Sequence, residues 1–152
     1  MMLAPFSDSG AAGGLGMMLG ADLSTAEGMG VEFGNFSAQI VDEDSRITYW
    51  NRAMEELTGY PAARMIGTRH QWEPFWENER PTMADLIMEQ SGEEELHELY
   101  GERWRKSNIL EDAYEAESFF PKLGQGGRWC WFTATSLKTA DGTVVGAVET
   151  LW

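Results

Sequence analysis

The sequence predicts a single mixed α/β domain of the α+β kind, from about Phe36 to Trp152, built on a five-stranded antiparallel sheet. Three observations carry this. Two short β-branched or aromatic runs, Ile40-Val41 and Ile47-Thr48-Tyr49-Trp50, flank an Asp/Ser-rich turn and lead straight into a short capped helix. Two further helical stretches with start signals occupy the middle of the chain. Two strand-like runs then close it, joined by the hairpin dipeptide Asp141-Gly142.

Each element has a local reason. Asn51 is a good N-cap, Met54, Leu57 and Tyr60 fall at roughly helical spacing, and Gly59 can take the left-handed conformation that stops a helix. Residues 61–67 read as a short helical turn closing on Gly67. The aromatic segment His70-Gln71-Trp72-Glu73-Pro74-Phe75-Trp76 contains a proline that argues against one long helix. Pro81 suits a first helical position, with Met83, Leu86 and Ile87 as the apolar face behind it. Ser91-Gly92-Glu93-Glu94 has the spacing of a capping box, followed by the stripe Leu96, Leu99, Tyr100 and Trp104. Tyr114 to Phe120 alternates as a strand, and Gly124 to Gly127 makes a turn. Arg128 to Leu137 is a strand rich in aromatic and β-branched residues, with Trp129, Trp131, Thr133 and Thr135 on one face and Cys130, Phe132 and Ala134 on the other. Thr143 to Trp152 forms the final strand.

Bulk properties narrow the class. A chain of 152 residues holds one domain plus extras, and 43% hydrophobic residues suffice for a packed core. No apolar run reaches the ~18 residues of a membrane span, and the first residues lack the pattern of a secretory signal. Cys130 is the only cysteine, which excludes an internal disulfide and a thiolate zinc cluster and makes a reducing, cytoplasmic setting the default. The net charge of −14 repels phosphate backbones and anionic lipid, so neither nucleic acid nor a membrane is expected as a partner. Residues 1–35 contain Asp8, Asp22, Glu27 and Glu32 and no Lys or Arg. They read as a flexible, glycine-rich segment with room for a short cap.

The run from Ile40 through Asp42-Glu43-Asp44, Arg46-Ile47-Thr48-Tyr49-Trp50-Asn51-Arg52-Ala53 and Glu55-Glu56-Leu57-Thr58-Gly59-Tyr60 closely resembles the opening of a PAS domain. The strand Gly127 to Ala134 and the hairpin through Asp141-Gly142-Thr143 to Thr150 resemble its closing strands, so the likeness covers residues 36–152. Within this family, residues 67–76, residues 80–87 and the strand Tyr114 to Pro121 are similar to a bacterial subfamily that precedes histidine kinase, diguanylate cyclase or transcriptional-activator modules. The resemblance implies a five-stranded antiparallel sheet with helices on one face. It also implies a cytoplasmic sensory or regulatory module that binds a small ligand or partner, forms a homodimer, and signals through dimer and sheet-face contacts to a linked or associated output domain. The exit would follow Thr150-Leu151-Trp152.

No cofactor is specified. Flavin photoreceptors of this fold carry a reactive cysteine in the stretch where this chain has Thr68-Arg69-His70-Gln71-Trp72, so flavin-cysteinyl photochemistry is not expected. Haem sensors supply an axial histidine from the helical layer. Only His70 and His97 are available for that role, and Pro81 follows Arg80 where the oxygen-sensing group has Arg-His-Asp. A haem-binding gas or redox sensor is therefore one alternative, and a ligand-free dimerisation module is another. The candidate ligand pocket is expected between the sheet face bearing Trp129 and Trp131 and the segment supplying His70, Trp72, Phe75 and Trp76. Catalysis is not expected: the acids form solvated clusters, and no nucleophile–base pair, metal-ligand motif or phosphate loop is present.

Overall fold

Ser37–Asp42 (β1) and Ile47–Trp50 (β2) pair antiparallel around the acidic turn, where Ser45 adopts a positive φ of 59°. The structure is a computed structural model that describes residues 36–152, so the expectation for residues 1–35 lies outside it. Four helices follow: Arg52–Thr58 (α1), Ala62–Met65 (α2), Met83–Met88 (α3) and Glu93–Tyr100 (α4). The remaining strands are Trp104–Lys106 (β3), Ala113–Phe120 (β4), Arg128–Lys138 (β5) and Val144–Leu151 (β6). All pairings are antiparallel, in the order β2-β1-β6-β5-β4-β3. The first and last of these strands thus lie side by side in the interior of the sheet.

The sheet has six strands where five were expected. The stripe through Trp104 breaks at Gly101, whose backbone (φ 64°, ψ −129°) ends α4, and Trp104 instead starts the short edge strand. Helix starts also differ. Thr82 caps α3 in a reciprocal box with Asp85, which leaves Pro81 outside the helix, whereas Gly92 precedes α4 with no side-chain cap. Asn51 and Gly59 act as read: Asn51 Oδ1 accepts from the Met54 amide at 2.9 Å, and Gly59 has φ 78°.

The helices cover the sheet face that presents Val41, Ala116, Cys130, Phe132, Ala134, Ala147 and Leu151. Met54, Met65, Phe75, Met83, Leu86, Leu96 and Tyr100 complete this main core. A smaller cluster of Ala38, Ile40, Tyr49, Leu137 and Val148 occupies the opposite face.

The central β1–β6 contact is close enough to exclude a side chain at Gly146. A Cβ there would lie 2.4 Å from the Val41 carbonyl oxygen, a rigid backbone atom. Gly146→Ala is expected to destabilise the domain by about 1–3 kcal/mol, the usual range for forced overpacking. Chemical denaturation reads the loss directly, and an unchanged midpoint would show that the two strands do not approach so closely.

Candidate functional site

The best-built site grows from the α3 cap. Thr82 and Asp85 are both buried, and Asp85 Oδ2 accepts from the Thr82 amide and hydroxyl, each at 2.9 Å. The other oxygen, Oδ1, accepts from Gln71 Nε2 at 2.7 Å, and that same nitrogen donates to the Ser45 carbonyl at 2.8 Å. Gln71, only 2% exposed, thereby ties the β1–β2 turn to α3. Burial raises the Asp85 carboxyl above its ordinary range, while the hydrogen bonds from Thr82 and Gln71 work against that rise. Glu89, one turn on, is also raised, first by burial and then by Asp85 and Glu95.

These residues line a recess of about 250 Å³ together with Arg69, Trp72, Glu79, Arg80 and Pro81. The Arg80 guanidinium lies 4.0 Å from the Trp76 ring centroid and 5.5 Å from that of Tyr100, which holds it at the border between recess and core. Larger hollows of about 470 and 400 Å³ lie beside Trp152 and between α3 and the β4–β6 end of the sheet. Among the described residues lining them, neither has a buried side-chain polar atom left without a partner. The smaller recess contains two, Gln71 Oε1 and Arg80 Nε.

Deeper under α3 sits a buried acid that the sequence reading passed over. Glu149 of β6 is 4% exposed and accepts from Gln39 Nε2 of β1 at 2.9 Å. Burial pushes its carboxyl up to about 8, against the opposing influence of Gln39 and of the Ala84 and Met83 amides turned toward it. The same acid contributes, after burial, to holding the Tyr100 hydroxyl well above its usual range. Asp85 also raises the Glu149 carboxyl by its charge, so the recess acid and the exit-strand acid influence each other electrostatically.

The structure separates the expected pocket residues. Phe75 is buried in the main core against Phe120, their centroids 5.0 Å apart, and Trp76 meets the same ring at 5.4 Å. Trp72 is half-buried on the recess wall, and His70 is exposed. Trp129 and Trp131 lie on the other side of the sheet, because strand alternation gives the helix-facing side to Cys130 and Phe132. Trp129 instead packs edge-on against Phe119 at 5.8 Å and beneath Arg103 at 4.6 Å. The two tryptophans of β5 and the His70–Trp76 segment therefore cannot enclose one cavity, which corrects that expectation.

The cofactor alternatives can be tested on the same geometry. His70 and His97 are both exposed, so neither is presented to the interior as an axial ligand and the described residues do not fit haem. Cys130 is fully buried, and its thiol is pushed up to about 11 by burial, which makes it a poor nucleophile. Among the described residues no three His, Cys, Asp or Glu side chains gather as a metal site, and no helix is long and apolar enough to cross a membrane.

A family profile described as PAS fold matches residues 35–152. The chain belongs to the PAS fold family. PAS domains are generally sensory, non-catalytic modules. Among solved structures, the PAS domain of the fruit-fly ELK potassium channel is similar at 13% identity and a TM-score of 0.52, covering 87% of this chain and 97% of that one. An RNA-binding light-oxygen-voltage receptor matches at 18% identity and a TM-score of 0.51, over 99% of this chain and 34% of its own length. A PAS domain from Colwellia psychrerythraea matches at 14% identity and a TM-score of 0.48, over 86% of this chain and 96% of that one. Comparison with curated protein sequences found no match.

Proposed function

We propose that this PAS domain is a cytoplasmic sensory or regulatory module that couples occupancy or movement of its helical layer to β6, and through β6 to an output domain. The observation that carries the reading is the placement of Glu149: one buried side chain on the last strand reaches both Gln39 of β1 and the start of α3. A shift of α3 changes the surroundings of that carboxyl, and the strain passes along β6 toward Trp152. Trp152 exchanges backbone hydrogen bonds with Trp131 at 2.9 and 3.0 Å, so the end of the chain is part of the sheet. Such a device biases a partner between two arrangements rather than performing chemistry. An output kinase, diguanylate cyclase or transcriptional activator is the class of partner this implies.

Self-association is the proposed second half of the relay. Phe119 is 42% exposed and stands beside Trp129 and Arg103, giving an aromatic and cationic patch at one end of the outer sheet face. This patch suits a homodimer contact.

The test perturbs the helical layer and reads the exit. Gln71→Ala removes the link between the β1–β2 turn and α3, and backbone amide spectra with sedimentation analysis follow the result. The expected outcome is shifted resonances from Ala147 through Trp152 and about a threefold or larger change in dimer dissociation constant. Unmoved β6 resonances and unchanged association would overturn the coupling reading.

A further inference from the structure

The recess between α3 and the β1–β2 turn combines charges of both signs that do not neutralise one another. Asp85, Glu79 and Glu89 line it, and among the described residues none has a cationic side chain within ion-pair distance. Arg80 shares the recess and makes no ion pair either; its Nη2 reaches the Leu99 carbonyl at 3.4 Å and its guanidinium faces the Tyr100 hydroxyl. Two buried polar atoms have no hydrogen-bond partner among the described residues: Gln71 Oε1, an acceptor, and Arg80 Nε, a donor. The orientation of the Gln71 amide is settled by its neighbours, because its nitrogen already donates to both Ser45 and Asp85. A buried polar atom without a partner is costly to the folded state, so two in one small recess mark groups that a bound molecule can satisfy.

From this we infer that the recess binds a small zwitterion, a free α-amino acid, with its ammonium on Gln71 Oε1 and Asp85 and its carboxylate on Arg80. The inference rests on the sensory reading above and names the ligand class for it. Chemistry argues for both charges together. An ammonium offers three donors, which suits Gln71 Oε1 and the acidic wall. A carboxylate supplies the acceptor that Arg80 Nε lacks and forms a charge-assisted bond there. A simple amine leaves Arg80 unsatisfied, and a simple carboxylate that meets Arg80 and Arg69 leaves the three acids and Gln71 Oε1 without a donor. At about 250 Å³ the recess has room for a molecule of amino-acid size. The half-buried Trp72 on the wall favours an apolar or aromatic side chain.

Calorimetric titration of the 152-residue chain with L-phenylalanine tests the proposal, with phenethylamine and 3-phenylpropionate as its single-charge counterparts. L-phenylalanine is expected to bind at least about tenfold more tightly than either, the effect of one additional charge-assisted hydrogen bond. Arg80→Gln should reduce L-phenylalanine affinity about tenfold and leave phenethylamine binding unchanged, a split that general loss of structure does not produce. Glu89→Gln, at an exposed position, supplies a second variant and should weaken L-phenylalanine and phenethylamine alike while sparing 3-phenylpropionate. The proposal is overturned if L-phenylalanine and L-leucine show no binding up to about 10 mM. It is also overturned if the single-charge compounds bind equally well, or if neither variant discriminates among the three. Those results with the helix-to-β6 coupling intact would remove the amino-acid class and leave the sensory reading standing.

Discussion

Glu149→Gln is expected to stabilise the domain by on the order of 3–5 kcal/mol at pH 8 while changing little near pH 4. The effect follows from the location of the carboxyl beneath α3, where burial moves it from 4.5 up to about 8. The folded state therefore binds a proton that the unfolded chain releases at much lower pH. Its contribution to stability is fully present below about pH 4.5 and is lost as the pH rises toward and through 8. Glutamine keeps the shape and the link to Gln39 but carries no charge, so it removes the loss at high pH. Denaturant unfolding of both proteins between pH 4 and pH 9 provides the measurement. The difference between them isolates this one group from the general repulsion of a chain with net charge −14. Equal slopes of stability against pH in the two proteins would mean that Glu149 titrates as an ordinary carboxylate. The raised group lies on the strand proposed to carry the signal, so the same measurement also reads whether β6 responds to proton activity as well as to α3.

The parts of this fold that were legible in the sequence are those set by local stereochemistry. Asn51 and Gly59 bracket α1 because one supplies a capping oxygen and the other tolerates φ 78°. The Asp141-Gly142 turn and the alternation of β5 follow from equally local rules, including Gly142 at φ 87°. Two helix starts differ for local reasons: α3 begins after Thr82, which closes its box with an aspartate, Asp85, rather than at Pro81, and the glutamate pattern after Ser91 forms no box because Gly92 takes the cap position of α4. Alternation separates the two faces of β5 but does not say which one meets the helices. Both carry large side chains, so tryptophan content misled where Cys130, Phe132 and Ala134 form the buried face. The candidate site was half visible. Trp72 was singled out as an aromatic, but Gln71 beside it carries no chemical motif, and its importance comes from bonds to Ser45 and Asp85 that lie 26 and 14 residues away. Glu149 was hidden for a related reason, since an acid within an apolar strand looks solvent-facing until its neighbours are placed over it.

Phe120→Ala is expected to cost about 3–5 kcal/mol, the range for removing a fully buried phenylalanine. Phe120 is 2% exposed and stands at the centre of an aromatic cluster, with centroid distances of 5.0 Å to Phe75, 5.4 Å to Trp76 and 5.7 Å to Phe132. Aromatic pairs at such distances contribute ~0.5–1.5 kcal/mol beyond the area they bury. Lys122 reinforces the arrangement by donating to the Glu73 carbonyl at 2.7 Å, which fastens the proline-containing segment to the end of β4. The size of the loss decides what these aromatics do. Rings that fill the core leave a cavity when one is deleted, and the neighbours relax only in part, so the full cost appears. Rings that merely line a ligand chamber already face empty space on one side, and deletion then costs clearly less than the full range for a packed phenylalanine. A Phe75–Phe120 double-mutant cycle adds a second reading, with a coupling of at least ~0.5 kcal/mol expected for rings in contact. A small single-mutant cost together with zero coupling would return the ligand site to the aromatic segment. The packed distances argue for the opposite result, which places the aromatic layer in the scaffold and is consistent with the proposed recognition by the polar recess beside Gln71, Arg80 and Asp85.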